Sequence, residues 1–166
     1  GSPDPKFYGG FSTDLSYKGI TLNAVFNYSY GAKKLSPYYE SLITSRGTGV
    51  ASVDLVDRWS PENTDAKFPR PIYNDPTDTE TMYYNTFSAS QMDFSVQNAS
   101  YLRLSTLSLA YTFPKTIVEK MKIGNLRVYS TISNVFCWTS YKGYDPETGD
   151  WYPPTRMFVF GLSVSL

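Results

Sequence analysis

The sequence predicts an all-β fold of five long antiparallel strands, each with one apolar face, as in the wall of a transmembrane β-barrel with long extracellular loops. Three observations lead there. Residues 157–166 place Phe158, Phe160, Leu162, Val164 and Leu166 on one face, against Val159, Gly161, Ser163 and Ser165 on the other. That is the two-residue period of a strand. Four further segments repeat the alternation, and no stretch approaches ~18 consecutive apolar residues, so a crossing would be made by strands, not by a helix.

The first strand covers 6–17, with Phe7, Phe11, Leu15 and Tyr17 on one side and Tyr8, Ser12, Asp14 and Ser16 on the other. Lys18-Gly19 reads as a two-residue hairpin turn, with glycine supplying the left-handed backbone. The second strand, 20–30, alternates Ile20, Leu22, Ala24, Phe26, Tyr28 and Tyr30 with Thr21, Asn23, Val25, Asn27 and Ser29. Between 31 and 100 the chain is polar and lacks strand periodicity. Pro37, Pro61, Pro69, Pro71 and Pro76 forbid long regular elements there. A short helix is predicted near 50–59 from the three-residue spacing of Val53, Val56 and Trp59. Trp59 and several tyrosines point to a packed loop instead of a disordered linker.

The third strand, 101–113, changes face partway. Leu102 and Leu104 lie on one side, whereas Leu107, Leu109, Tyr111 and Phe113 lie on the other. A bulge near Ser105, or a strand end rising above the membrane, accounts for the switch. Pro114 stops the strand, and 115–124 reads as a short, partly helical connection closing on a glycine. The fourth strand, 125–138, sets Leu126, Val128, Ile132, Phe136 and Trp138 against Arg127, Tyr129, Thr131, Ser133 and Cys137. A turn-rich loop over 139–155 leads to the closing strand, 156–166.

With the chain end on the periplasmic side, the long segments 31–100 and 139–155 fall outside and the short connections fall inside, the usual asymmetry of outer-membrane barrels. Strands of this length, tilted by ~40° at ~3.3 Å per residue, span a ~25 Å apolar band. Tyr28, Tyr30, Tyr111, Phe113 and Trp138 sit near strand ends, where interfacial aromatic girdles form.

Composition removes several functions. Fifteen basic and fifteen acidic residues give zero net charge, without the basic excess of a nucleic-acid partner. The chain has no histidine, so the commonest general base and metal ligand is missing. No catalytic constellation forms around the serines, and neither enzyme activity nor a cofactor is expected. Asp54 and Asp57 read as the solvated face of the short helix. The single Cys137 excludes an internal disulfide, and by alternation it is a buried, inert thiol on the lumen side.

Four aromatic residues of the 139–155 loop, Tyr141, Tyr144, Trp151 and Tyr152, are candidate contacts to sugar rings or to a lid protein; loop packing also explains them. Asp145, Glu147 and Asp150 offer oxygens to Ca²⁺ but lack the EF-hand spacing, so a solvated turn is expected and no metal site is assigned. Arg103 and Arg127 project inward by their phase, either to acidic partners or to a wet lumen.

Ordered motifs run through the chain. Asn98-Ala99-Ser100-Tyr101-Leu102-Arg103-Leu104 precedes Leu109-Ala110-Tyr111-Thr112-Phe113-Pro114. Leu126-Arg127-Val128-Tyr129, Ser133-Asn134-Val135-Phe136, Gly143-Tyr144-Asp145-Pro146-Glu147 and Tyr152-Pro153-Pro154-Thr155-Arg156 follow. Upstream stand Pro3-Asp4-Pro5-Lys6-Phe7-Tyr8-Gly9-Gly10-Phe11 and Arg58-Trp59-Ser60-Pro61-Glu62-Asn63. Together these resemble the C-terminal barrel of SusC/RagA-type TonB-dependent transporters over nearly the whole chain. One departure is Leu166, where the family usually ends on Phe.

The resemblance implies a multi-pass, 22-stranded barrel in the cell outer membrane, with residues 1–166 as its last five strands. The plug domain and the remaining barrel would lie outside this sequence. It further implies uptake of oligosaccharides or peptides, energised through TonB by way of the plug, with a SusD-like surface lipoprotein capping the mouth. The partners expected are thus the rest of the barrel and plug, that lipoprotein, the TonB complex and the lipid bilayer. Five strands leave two open edges, which cannot face hydrocarbon. A soluble, aromatic-rich β-sandwich that binds carbohydrate is the rival reading, strained by the greasy closing strand and the seventy-residue insertion.

Overall fold

A computed structural model describes residues 1–43, 50–68, 93–149 and 152–165. Its strands are β1 (Phe7–Tyr17), β2 (Ile20–Tyr30), β3 (Lys33–Leu35), β4 (Val96–Asn98), β5 (Tyr101–Thr112), β6 (Asn125–Thr139) and β7 (Met157–Ser165). Two short helices are α1 (Pro37–Ile43) and α2 (Lys115–Val118). The chain divides into two compact units. One, the sheet unit, comprises Pro5–Gly31, Ser100–Thr139 and Pro154–Leu166; the other, the loop unit, comprises Gly1–Asp4, Ala32–Ala99 and Ser140–Pro153.

The sheet unit is a five-stranded antiparallel sheet in the order β1-β2-β5-β6-β7. Its first hairpin closes through Lys18 (φ 48°) and Gly19 (φ 86°), with Tyr17 opposite Ile20. Positive φ at both central residues is the turn whose twist matches the flanking strands. The Gly19 carbonyl accepts the Thr112 N–H at 2.8 Å. A Cβ on Gly19 would stand 2.6 Å from the Thr112 carbonyl oxygen, so the position needs glycine for space as well as for conformation.

Register explains the face switch in β5. Val25 pairs with Thr106, but the next residue, Phe26, pairs with Leu104, leaving Ser105 as an extra residue. On the other side Leu104 faces Phe136 and Thr106 faces Ser133, so Ser105 meets both Asn134 and Val135. One inserted residue shifts the two-residue phase by one. Leu102 and Leu104 therefore share a face with Leu107, Leu109 and Tyr111, and the predicted bulge at Ser105 is where the sequence places it. On β6 the bulge rests on Asn134, at φ 53°, a backbone that asparagine tolerates. The Asn134 side-chain amide donates to the Thr155 carbonyl (2.8 Å), and the Arg156 guanidinium donates to the Val135 carbonyl (2.6 Å).

The bulges leave one continuous apolar face. It carries Phe7, Phe11 and Leu15 on β1, and Phe26 and Tyr28 on β2. Leu104 and Leu109 of β5, Ile132 and Phe136 of β6, and Phe158, Phe160 and Leu162 of β7 complete it. Phe160 is 78% exposed and Leu162 64%. Towards one end lie Phe7 stacked on Tyr30 (4.9 Å) and Phe136 edge-on to Trp138 (4.8 Å); towards the other lies Tyr111 edge-on to Phe113 (4.9 Å). The opposite face carries Asn23, Asn27, Arg103, Ser108, Thr131 and Ser163. There the Ser108 and Thr131 hydroxyls bond across the strands at 2.8 Å. Tyr129 lies over Gly161, and a Cβ on that glycine would overlap the phenol ring. The ring supplies the packing that glycine lacks.

Between β5 and β6, Pro114 precedes α2, whose Val118 is 2% exposed. The connection ends on Gly124, immediately before β6, and the Gly124 N–H donates to the Ser165 carbonyl at 2.7 Å; the left-handed residue within it is Lys122 (φ 58°).

The loop unit packs around α1. Tyr39 and Ile43 of α1 meet Leu55 and Phe68 in one buried cluster, while Ala32, Ala99 and Tyr141 form a second. The three-residue strands β3 and β4 pair antiparallel and bring the two ends of the long insertion together. The helix expected over 50–59 is a 3-10 turn of five residues, Val53–Asp57, capped by the Ser52 hydroxyl. Its spaced apolar residues do not form a core stripe: Val53 and Val56 are each 81% exposed, and Leu55 alone points inward. Trp59 is 40% exposed, and its backbone N–H donates to the Phe68 carbonyl at 2.8 Å. Among the described residues outside the large sheet, β3 and β4 form the one other strand pair, far short of the second layer a β-sandwich needs. Pro69, Pro71, Pro76, Trp151, Asp150 and Leu166 lie outside the described residues.

Candidate functional site

The candidate contacts of the 139–155 loop separate on inspection. Tyr141 is buried at 6% exposure against Ala32 and Ala99, and its hydroxyl donates to the Leu35 carbonyl at 3.2 Å. It is a core residue of the loop unit. Tyr144 is exposed and stacks on Tyr38 of α1, with centroids 4.4 Å apart and planes 27° from parallel. Tyr38 was not singled out by sequence, because nothing local links positions 38 and 144. Tyr152 is 81% exposed, and Trp151 lies outside the described residues.

Asp145 corrects the expectation of a solvated turn. It is 4% exposed, and its Oδ1 accepts the backbone N–H of Glu147 (2.9 Å) and of Thr148 (3.0 Å). Gly149, at φ 77°, closes the turn through a backbone bond to the Asp145 carbonyl at 2.8 Å. This carboxylate is held by backbone donors as a loop cap. No group of three potential metal ligands occurs among the described residues.

The most connected polar cluster is one the sequence reading missed. Asp54 was expected on a solvated helix face. Its Oδ2 instead accepts the Tyr39 hydroxyl at 2.6 Å and the Lys142 ammonium at 2.5 Å, with the Ser52 hydroxyl at 3.2 Å. Lys142 also lies 5.1 Å from the Tyr39 ring centroid, and its backbone N–H donates to Gln97 Oε1 at 2.8 Å. The Lys142 ammonium, then the Tyr39 hydroxyl, hold the Asp54 carboxyl below the usual carboxylate range. Asp54 in turn holds Lys142 above the usual ammonium value. Burial pushes the Tyr39 phenol up, and the bond to Asp54 adds to that. A phenol raised this way stays protonated at neutral pH, so the cluster is a tether with no poised base. Three chain segments far apart in sequence meet in it: α1, the 3-10 turn and the 140s loop.

Beside the tether is an open cavity of about 180 Å³ lined by Tyr39, Lys67, Val96, Gln97, Asn98, Ser140 and Lys142. In the sheet unit, Arg103 is buried on the polar face opposite Asn27 and Cys137, with its guanidinium 5.4 Å from the Tyr101 ring centroid. Arg127 lies on the same face, opposite Thr112 and Ser163. Cys137, expected to be buried, is half-buried on that face and forms no disulfide.

No protein-family model matches the chain. It is 30% identical to TonB-dependent receptor P3 of Formosa agariphila over 99% of its own length, which is 17% of that receptor. It is 39% identical to TonB-dependent receptor SusC of Bacteroides thetaiotaomicron over 43% of its length, or 8% of SusC. Among solved structures, the RagAB peptide transporter superposes with a TM-score of 0.73 at 29% identity, covering 99% of this chain and 18% of the other. The chain thus spans about a sixth of the curated relatives it matches across its length. A one-sided apolar sheet, its bulges and these likenesses agree: over nearly its whole length the chain is homologous to a segment of TonB-dependent receptors of the SusC/RagA type.

Proposed function

We propose that the sheet unit is part of the wall of a closed outer-membrane β-barrel that imports nutrients. The observation that carries this reading is the continuous apolar face, far larger than the scattered exposure of an ordinary protein surface. Aromatic pairs near both ends of that face fit the two interfaces of a bilayer. The free edges of β1 and β7 pair with neighbouring strands in a 22-stranded barrel, because unpaired backbone cannot stand in hydrocarbon.

On this reading the 31–100 and 139–155 loops contribute to the extracellular mouth, where a SusD-like lipoprotein caps the channel. Energy arrives from the TonB complex through a plug inside the barrel. Oligosaccharides and peptides are the substrate classes, and the peptide transport of RagAB favours the second. Tyr144 with its stacking partner Tyr38, and the exposed Tyr152, supply flat aromatic surface to substrate or to the lipoprotein. Tyr141 supports that loop from within.

Growth and uptake in the native bacterium test the proposal. Deleting the gene abolishes growth on the cognate peptide or glycan, and disabling TonB has the same effect. The protein fractionates with the outer membrane. Recovery of a folded, detergent-free soluble monomer contradicts the reading.

A further inference from the structure

The cavity of the loop unit has a one-sided chemistry. Two cationic residues, Lys67 and Lys142, line it, and among the described residues no Asp or Glu does. Lys142 is steadied from behind: Asp54 accepts one of its hydrogen bonds and the Tyr39 hydroxyl, at 3.4 Å, a second. An ammonium has three donors, and Lys142 remains 45% exposed, so donor capacity is left facing the cavity. Lys67 sits 5.5 Å from the Phe68 ring centroid and has no carboxylate partner among the described residues. The wall holds a further unanswered donor. Gln97 is oriented by the Lys142 N–H bonded to its Oε1, and its buried Nε2 meets no acceptor among the described residues. Donors without acceptors and two like charges on one small cavity are relieved by a ligand that brings negative oxygen.

We propose that this cavity is a subsite for a carboxylate, with Lys67 and Lys142 as its two anchors and Asp54 as the group that positions Lys142. The cavity holds a small terminal group and not a whole oligomer. A peptide C-terminus and a uronic acid share that chemistry. The inference rests on the importer reading for its source of ligand and deepens it, because the subsite selects acidic chain ends over neutral ones.

The test is calorimetric titration of the intact receptor in detergent at low salt. The probes are N-acetyl-dialanine and its C-terminal amide, and a diglucuronic acid and its methyl ester. The expected result is acid bound about five-fold more tightly than its neutral counterpart, the scale of one partly exposed charge pair. Lys67→Gln removes that preference and leaves the neutral probes unchanged, while Lys67→Arg keeps it. A preference for one acid identifies the source; a preference for both assigns the site to the carboxylate itself. Equal binding of acid and neutral probes, no saturable binding of either acid up to about 1 mM, or a preference that survives Lys67→Gln overturns the proposal. Whole-cell uptake keeps the two readings apart. Neutral substrate imported normally by Lys67→Gln cells with unchanged acid binding sinks the subsite alone. Absence of any uptake by the wild type sinks the importer reading and leaves the titration to judge the subsite.

Discussion

The two units of this chain bury opposite things. In the loop unit the large apolar side chains turn inward: Tyr39, Ile43, Leu55 and Phe68 are each at or below 6% exposure. In the sheet the large side chains turn outward, with Phe158, Phe160 and Leu162 more than half exposed on β7, while serines, threonines and asparagines take the other face. A polypeptide does this when two solvents act on it. On the proposed reading, water drives the loop unit to an ordinary core, and hydrocarbon accepts the outer face of the sheet. The polar contacts differ as well. The sheet is joined by continuous backbone ladders between neighbouring strands, and the far-apart segments of the loop unit by single side-chain bonds such as Asp54 to Lys142.

Core truncation is the most severe way to break this comparison. Phe68→Ala empties a ring site in the loop core and is expected to cost about 3–5 kcal/mol. The loss is confined to the loop unit: hydrogen exchange in the intact receptor accelerates over 32–68 while the ladder amides of β5 and β6 keep their protection. Next comes Phe160→Lys, which places a charge on the outer face at about 2–4 kcal/mol. Ser163→Lys, on the polar face of the same strand, costs well under half of that, as read by denaturant unfolding in vesicles. Comparable costs for the two would erase the distinction between the faces.

A smaller effect follows from the loop cap. Asp145→Ala removes the acceptor of two part-buried N–H groups, at about 1–2 kcal/mol, and raises protease sensitivity around 143–149. The smallest is Lys142→Gln, worth about 1 kcal/mol or less because the ammonium is partly exposed. Its pH signature sharpens the point. Asp54 is depressed when folded, so its contribution is full above the ordinary carboxylate value of ~3.9 and is lost as pH falls through the lowered folded value. Lys142 is raised, so its contribution is full below ~10.4 and is lost as pH rises through the raised folded value. Protection factors of the 140s amides are therefore level across the neutral range and fall at both extremes. In Lys142→Gln the alkaline fall shrinks to the part that the raised Tyr39 phenol contributes.

The sheet was legible in the sequence because its information is local. Alternation in β2 or β7 is visible within ten residues, and the phase slip at Ser105 marks its own bulge. The loop unit was not. β3 and β4 are too short to show a period, and their pairing joins residues 33–35 to 96–98. Val53 and Val56 carried helical spacing but face outward, since a five-residue 3-10 turn presents one side chain to the core. Tyr141, proposed as a contact, is core, and Tyr38 entered the surface only through its stacking on Tyr144. The Asp54–Tyr39–Lys142 tether joins three segments that no sequence window contains.

The central claim is that one face of the sheet meets lipid. The direct measurement places single cysteines along β7 of the intact receptor, in a Cys137→Ser background, labels each with an environment-sensitive fluorophore and adds a lipid-soluble quencher. The account predicts strong quenching at Phe158→Cys, Phe160→Cys and Leu162→Cys and weak quenching at Val159→Cys and Ser163→Cys, a two-residue alternation along the strand. Uniform quenching, or none at Phe160→Cys and Leu162→Cys, would contradict it.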